Sequence, residues 1–410
     1  MSVFSTSNIS TGSLNQTALP QPGREQSGFQ VGLYDTTLRD GEQSVGVVFE
    51  PEEKLEIARI LDAMGVERIE AGFARVSDED QRAIEMILKA NLRAQIWGFS
   101  RALIEDVTAV AELGCRWTII EAPVSDIKLR ALGISRDKVL ERIAESVAFS
   151  VREGIAVTFF GVDGSRADLA FLERVYKLAV DSGASEVALV DTLGIATPEA
   201  VSFLVESSRR WVGPSIPIHF HGHNDFGLAT ASAIAAVRAG ARWIHGTLDG
   251  MGERAGNANL AQVALALGAL YGIHTNLHLE GVRAASERLR EIARYDLEPW
   301  KPLVGRNLFV RETGAVAAQF HIPEAIEPYS ADLVGTSRGI VMGKKSGLAS
   351  VRLKCQELQL KIPEDRYPAL LTATKNLAAR QRSLVSDEDF RNLAQQISQQ
   401  ISVSAPDAIR

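Results

Sequence analysis

From Phe29 onward the chain alternates between two hydrophobic periods. Short apolar runs of strand length end in small or polar residues. Each is followed by a longer stretch whose apolar positions recur three and four residues apart. The runs predict strands at Val31–Asp35, Arg68–Ala71, Ala94–Gly98, Trp117–Glu121, Ala156–Gly161, Glu186–Val190, Ile216–His221 and Trp243–Thr247. The longer stretches predict helices at Pro51–Met64, Asp78–Ala90, Ile104–Leu113, Arg136–Glu153, Ala167–Ser182, Pro198–Val212, Gly227–Ala239 and Leu260–Tyr271. Start signals such as Glu50-Pro51-Glu52-Glu53 and Thr197-Pro198-Glu199 support them. Many end near a glycine, among them Gly65, Gly114, Gly154, Gly183, Gly240 and Gly272. Eight strand-then-helix units in roughly 240 residues fit an α/β fold of the (β/α)8 TIM-barrel type. A doubly wound open sheet is the alternative, but it usually has fewer strands, and no GxGxxG follows the first run.

In a barrel, chemistry sits at the C-terminal ends of the strands. Polar clusters fall there: Asp35–Gln43 after the first strand, Glu70 at the second, Ser100-Arg101 after the third and Ser125-Asp126 after the fourth. Asp191-Thr192 follows the sixth, His221-Gly222-His223 the seventh, and Gly250–Asn257 the eighth. Random surface polarity would not collect on one side of nearly every unit, so the pattern points to an enzyme.

Beyond Gly272 the period is lost. Leu277–Ala293 predicts one more helix, Trp300–Gly347 is irregular, and Leu348–Ile401 is helical with polar faces. The expected organisation is a tail (residues 1–28), a catalytic barrel (29–275), a linker and lid-like segment (276–350) and a helical C-terminal segment (351–410). The last two form a small, mostly helical C-terminal appendage. Met1–Ser27 is rich in Ser, Thr, Asn, Gln and Pro and nearly uncharged, which predicts a disordered tail, neither a signal peptide nor a transit peptide.

Composition narrows the function. The 410 residues are 46% apolar and 23% charged, ordinary for a globular protein. A net charge of −7 argues against a nucleic-acid partner, whose binding face is normally basic. Cys115 and Cys355 cannot build a disulfide framework, so a reducing cytoplasm is expected. No run of about 18 apolar residues exists, so no membrane span is expected.

The candidate chemistry centres on Ile218-His219-Phe220-His221-Gly222-His223-Asn224-Asp225. Side chains two residues apart leave a strand on the same face, about 7 Å apart along it. His221 and His223 can therefore converge on one metal ion, with His219 further inside. The alternative is a strand of satisfied histidines. Three alternating imidazoles among only seven in the chain, followed by Asn-Asp, favour the metal. A divalent ion would also want oxygen ligands, and both Tyr34–Gln43 and Gly250–Asn257 could supply them.

Taken together, LYDTTLRDGEQ (Leu33–Gln43), IEAGF (Ile69–Phe73), VSD (Val124–Asp126), DTLG (Asp191–Gly194), HGHNDFGLA (His221–Ala229), GERAGN (Gly252–Asn257) and GKKSG (Gly343–Gly347) are recognisable. In this order they resemble the metal-dependent Claisen-condensing enzymes: the homocitrate, isopropylmalate and citramalate synthases, in the superfamily that includes HMG-CoA lyase. The resemblance spans about residues 30 to 350, and VSDIKLRALGISRDKVLERI looks most like bacterial homocitrate synthases. It implies a divalent cation (Mg, Mn or Zn) held by Asp40, His221, His223 and Asn257, with no nucleotide cofactor beyond an acyl-CoA substrate. The cation would act as a Lewis acid on the ketone of a 2-oxo acid. Arg39 is implied to stabilise the developing oxyanion and Thr192 to bind the substrate carboxylate; Gln43, Glu70, Arg101 and Ser125 would line the pocket. The partners implied are an acyl-CoA (acetyl-CoA), a 2-oxo acid and a second copy of the chain. The long regulatory domain of isopropylmalate synthases does not fit the roughly 60 residues after Gly347.

The chain also departs from that pattern. The family draws a proton from the thioester methyl with a His in a HEAGIH-type motif, assisted by a Glu in an EDxxR-type segment after strand five. The corresponding stretches read Arg311-Glu312-Thr313-Gly314-Ala315-Val316 and Val162-Asp163-Gly164-Ser165-Arg166, so valines stand at both positions. His321 is a candidate replacement. Arg311 and Lys345 are expected to meet an added anionic group on the substrate. Weak activity with the common 2-oxo acids is expected as well. The competing readings are a metal-dependent aldolase or lyase and a non-catalytic ligand binder.

Overall fold

A computed structural model describes residues 8–11, 14 and 31–399. Eight parallel strands close into a barrel. They are β1 (Gly32–Asp35), β2 (Arg68–Glu70), β3 (Gln95–Arg101), β4 (Trp117–Pro123), β5 (Ala156–Val162), β6 (Glu186–Asp191), β7 (Ile218–Gly222) and β8 (Trp243–Gly246). Each pairs with its neighbour, and β8 returns to β1 with Gly32 opposite Trp243 and Asp35 opposite Gly246. The strands are buried on both faces, which is why their sequences read as near-continuous apolar runs.

The helices begin where side chains satisfy the free amides of their first turns. Ser77 accepts from Asp80 N, Ser135 from Lys138 N, Asp168 from Phe171 N and Thr197 from Ala200 N. Between β4 and β5 a helix appears that was not predicted. Ser125 caps a short helix at Asp126–Leu132, ahead of the one expected at Arg136–Glu153 and found at Arg136–Arg152. The Ser125-Asp126 cluster is a helix start, and Gly133 in a left-handed conformation ends that turn.

Alternate side chains of each strand fill the barrel interior. The middle is an apolar and aromatic layer of Tyr34, Trp97, Phe99, Ile119, Phe160, Ala188 and Val190. Below it lies a polar layer. Arg68 makes two hydrogen bonds to Glu186, at 2.6 and 3.0 Å, with its guanidinium stacked 3.6 Å from the Trp243 ring centroid and 4.7 Å from that of Trp97. Glu186 also accepts from Thr158 Oγ1 (2.9 Å) and His219 Nε2 (3.0 Å). His219 Nδ1 lies 2.8 Å from His245 Nε2. Burial lowers the proton affinity of both imidazoles, against the pull of Glu186 on His219. With both rings neutral, His219 donates to Glu186 and accepts from His245. His219 thus belongs to the floor of the barrel. Removing one member of such a buried pair costs about 3–5 kcal/mol.

Contacts divide the chain after Asp296. The helix Val282–Ala293 packs on Pro51–Ala63, so it belongs with the barrel rather than with the linker expected from residue 276. Residues 297–399 cluster together by contacts as a C-terminal body. A two-stranded parallel ladder, β9 (Val310–Arg311) with β10 (Gly339–Ile340), and the helices Leu348–Glu357, Tyr367–Gln381 and Asp387–Gln399 make it up. Its core includes Met342, Val351, Leu370 and Phe390, drawn from both sides of residue 350. Of the N-terminal tail, residues 8–11 are held against this body: Ser10 N donates to Pro328 O and Ser330 N to Asn8 O. Most of the stretch expected to be disordered lies outside the described residues. Among the described residues, no helix is long and apolar enough to cross a membrane.

Candidate active site and metal centre

The site is built at the C-terminal mouth of the barrel from loops that each strand end launches. After β1 the chain turns at once, because the Asp35 carboxylate accepts both Thr37 N (2.7 Å) and Thr37 Oγ1 (3.0 Å). Gly41 N and Arg39 N then donate to Thr36 O, folding Arg39 and Asp40 back over the opening. Burial pushes the Asp35 carboxyl up to about 7 even against its bonds to Thr37.

β7 ends at Gly222, and His221 and His223 project into the mouth beside Asp40. Asp40 Oδ2 is 3.2 Å from His221 Nε2 and 3.7 Å from His223 Nε2, and the two Nε2 atoms are 3.4 Å apart. All three side chains are buried. Burial and the neighbouring His221 lower the His223 pKa to about 4, so the ring is neutral and its lone pair free to ligate. Burial alone would raise Asp40, but the Arg39 guanidinium and the His221 ring outweigh it and hold the carboxyl well below its usual range.

Asn257 comes alongside His223 from the loop after β8. Its backbone bridges to His223, and its Nδ2 donates to Met251 O at 3.2 Å. Its Oδ1 is buried and unpartnered, as is Asp40 Oδ1. Buried acceptors left empty are costly unless something binds them. Two facing imidazole nitrogens, one carboxylate and one free amide oxygen are a donor set that suits a borderline divalent cation. The residues fit the metal that the sequence implied.

The loop after β8 can deliver Asn257 because of Gly256. Its φ is +83°, and a Cβ there would lie 2.0 Å from Gly250 O. Arg254 ties three loops together: it donates to Asp225 Oδ1 (2.8 Å) and Oδ2 (3.0 Å) and to Thr192 O (2.6 Å). Neither Arg254 nor Asp225 was singled out in the sequence. Their roles emerge only when the ends of β6, β7 and β8 meet.

Arg39 forms an ion pair with Glu70 through Nε, lies 3.5 Å from Asp40 through Nη1, and stacks 4.4 Å from the Phe99 ring centroid. Its Nη2 is buried and unpartnered. Glu70 also accepts from the Tyr34 hydroxyl at 3.0 Å. Arg39 is therefore clamped by Glu70, with one N–H edge left to donate.

The remaining predicted residues are placed unevenly. Thr192 Oγ1 accepts from Asp163 N at 2.8 Å. Arg101 is exposed and bound through two nitrogens to Asp106, at 2.7 and 3.0 Å. Ser125 spends its hydroxyl on the Asp163 carboxylate and the Lys128 amide. Gln43 is exposed. In the C-terminal body, Arg311 donates to the carbonyls of Leu308, Val310 and Ile326 at 2.8–3.1 Å, which fixes that loop. Lys345 is exposed, 3.6 Å from Glu312, whose carboxylate also accepts the Lys345 amide. Val162 packs against the apolar layer at the end of β5. Val316 lies in the short helix Gly314–Ala317, and His321 is exposed nearby in the chain.

One charged residue of the mouth was read only as the end of a strand. Glu121, on β4, faces inward by its alternation with Ile119 and Trp117. Loss of water pushes its carboxyl up to about 7, partly opposed by Arg39 and reinforced by Glu70.

Comparison with known proteins agrees with this geometry. The HMGL-like family model matches residues 30–289. Homocitrate synthase AksA of Methanopyrus kandleri is 40% identical over 370 residues, covering 90% of this chain and 92% of that protein. The putative (R)-citramalate synthase CimA of Archaeoglobus fulgidus is 39% identical over 373 residues, covering 90% and 76%. The HMG-CoA lyase of Bacillus subtilis has a TM-score of 0.60 at 19% identity, over 66% of this chain and 96% of that one, a likeness of fold. A closed barrel, a match over well more than half the chain and relatives near 40% identity lead to one conclusion: this protein belongs to the HMGL-like family.

Proposed function

We propose that the protein is a homocitrate synthase-like acyltransferase that condenses acetyl-CoA with a 2-oxo acid held on a divalent cation. The observation that carries this reading is the convergence of Asp40, His221 and His223, with Asn257 bridged to His223 and the Oδ1 atoms of Asp40 and Asn257 buried and unpartnered, beside the free edge of Arg39. The synthase names of the relatives support the reaction class. Bound there, the cation would polarise the 2-oxo group as a Lewis acid. The chain's own part is to orient and neutralise. Arg39, immobilised by Glu70, aims a charge-assisted donor at the oxygen where charge develops. Thr192 offers its hydroxyl proton to the substrate carboxylate while its oxygen accepts Asp163 N. The protein would act as a cytoplasmic homodimer, which sedimentation of the purified protein would check.

The test is thiol release from acetyl-CoA with metal-loaded protein across a panel of 2-oxo acids. Release with one acceptor, abolished by a chelator and restored by the metal, is expected. The valines at positions 162 and 316 favour a second reading, a metal-dependent lyase. Cleavage of a 2-hydroxy acid without CoA, and no thiol release, would establish that reading instead.

A further inference from the structure

A condensing enzyme must take a proton from a carbon acid, and the positions where the family keeps its base carry valines here. The mouth of the barrel was therefore searched for a carboxylate or imidazole that is free to accept one. Most are committed. Glu70 binds Arg39 and Tyr34, Asp40 and the two histidines form the metal centre, Asp106 holds Arg101, and Asp163 holds Ser125 and Arg166. Glu121 is different. Among the described residues its carboxylate takes part in no hydrogen bond and no ion pair. Its charged surroundings are Arg39, Glu70, Arg101 and Asp40, so it belongs to the same opening as the metal centre. On the side of β5 it meets Phe160 in register, and Val162 lies one inward step higher, opposite Pro123. The carboxylate missing from β5 is thus present on the next strand, one layer deeper and unpartnered.

We infer that Glu121 is the general base of the condensation, taking from β4 the role that Val162 and Val316 cannot perform. The inference rests on the proposed condensation. The step balances without a further oxidant or reductant. The Glu121 carboxylate removes a proton from the thioester methyl, and the C–H electron pair becomes the enolate. The enolate carbon then bonds to the 2-oxo carbon, whose C=O pair moves to oxygen beside Arg39 and takes a proton from water; the hydroxide left behind recovers the proton held on Glu121, which restores the carboxylate. A second water hydrolyses the thioester and releases the CoA thiol. The apolar neighbours suit this task. Phe160 beside it in register and Val162 one step above are apolar and offer it no hydrogen bond, and a carboxylate short of water is a stronger base than one in solution.

Glu121→Gln keeps the size and removes the basicity. Thiol release is expected to fall by about 10²–10⁴-fold, the usual contribution of a general base. Bound metal by elemental analysis and 2-oxo acid affinity by calorimetry should stay within about threefold of wild type, because only the transition state loses an interaction. Methyl-deuterated acetyl-CoA should then give a larger isotope effect than in wild type, since proton removal becomes limiting. Glu121→Asp should recover part of the rate. If Glu121→Gln turns over within about threefold of wild type, or loses metal and acid binding along with its rate, the assignment falls, because removing a base acts on the chemical step alone. If the wild type releases no thiol with any 2-oxo acid, the condensation falls first and the base with it.

Discussion

At the scale of single residues, the metal centre is defined by which atoms are left over. His221 and His223 meet at Asp40 because they are two apart on a strand that stops at a glycine. His221→Ala and His223→Ala are each expected to abolish bound divalent metal, by elemental analysis, and with it activity. The exposed His274 serves as the control, and His274→Ala should keep both. Full metal content in both ligand variants would remove the centre from this site. Arg39 makes a second case. Its planar fork binds Glu70 with one edge and leaves another for substrate, a division that a lysine cannot make. Arg39→Lys should therefore melt as wild type does but lose on the order of 10²-fold or more in turnover. Unchanged turnover would make Arg39 a structural partner of Glu70. His221 and His223 stand out in the sequence by their spacing, and Asp40 and Asn257 by the motifs of the family; the structure brings Asp40, His221 and His223 together. Glu121 does not stand out in the sequence. It ends an apolar run, and nothing local distinguishes an inward carboxylate from an outward one until the neighbouring strands are in register.

At the scale of elements, the site depends on loops that are tied to each other more than to their own strands. Arg254 joins the ends of β6, β7 and β8, and Gly256 lets the last of these loops turn tightly enough to present Asn257. Gly256→Ala is expected to destabilise the protein by about 1–3 kcal/mol, since a Cβ would be strained at that φ. It should also weaken metal binding, measured by competition with a chromogenic chelator. Unaltered affinity and melting would mean that the loop can turn another way. The strands were legible because both of their faces are buried, and the helices because their apolar stripes face the sheet. The helix Asp126–Leu132 was not, since seven residues make too short a period to stand out from a polar loop. The divisions expected at 275 and 350 rest on loss of the strand–helix period, a weaker signal. A helix's sequence shows that it has an apolar face, but not which body covers it.

At the scale of the whole molecule, the barrel carries its polarity in two places, a rim that works and a floor that holds. The floor of Arg68, Glu186, His219 and His245 joins β2, β6, β7 and β8 through contacts between residues up to 118 positions apart. Such a network has no signature in a linear sequence: Arg68, Glu186 and His245 read there as ordinary strand residues, and His219 only as a neighbour of the metal pair. The layer above it, from Tyr34 to Val190, fills the barrel with ring and aliphatic side chains.

That filled interior turns the active site into a well with one opening, and a well fills from the bottom. The acid that reaches the cation would lie beneath whatever follows it, so the thioester could not enter first and still leave it room. The order of arrival is then compulsory: 2-oxo acid, then acyl-CoA. In initial-rate measurements an unreactive analogue of the acid should compete with the acid and act as a noncompetitive inhibitor towards acetyl-CoA. A CoA analogue should act as an uncompetitive inhibitor towards the acid. A random-order pattern would mean that the two substrates reach the cation by separate paths, which a plugged barrel does not provide.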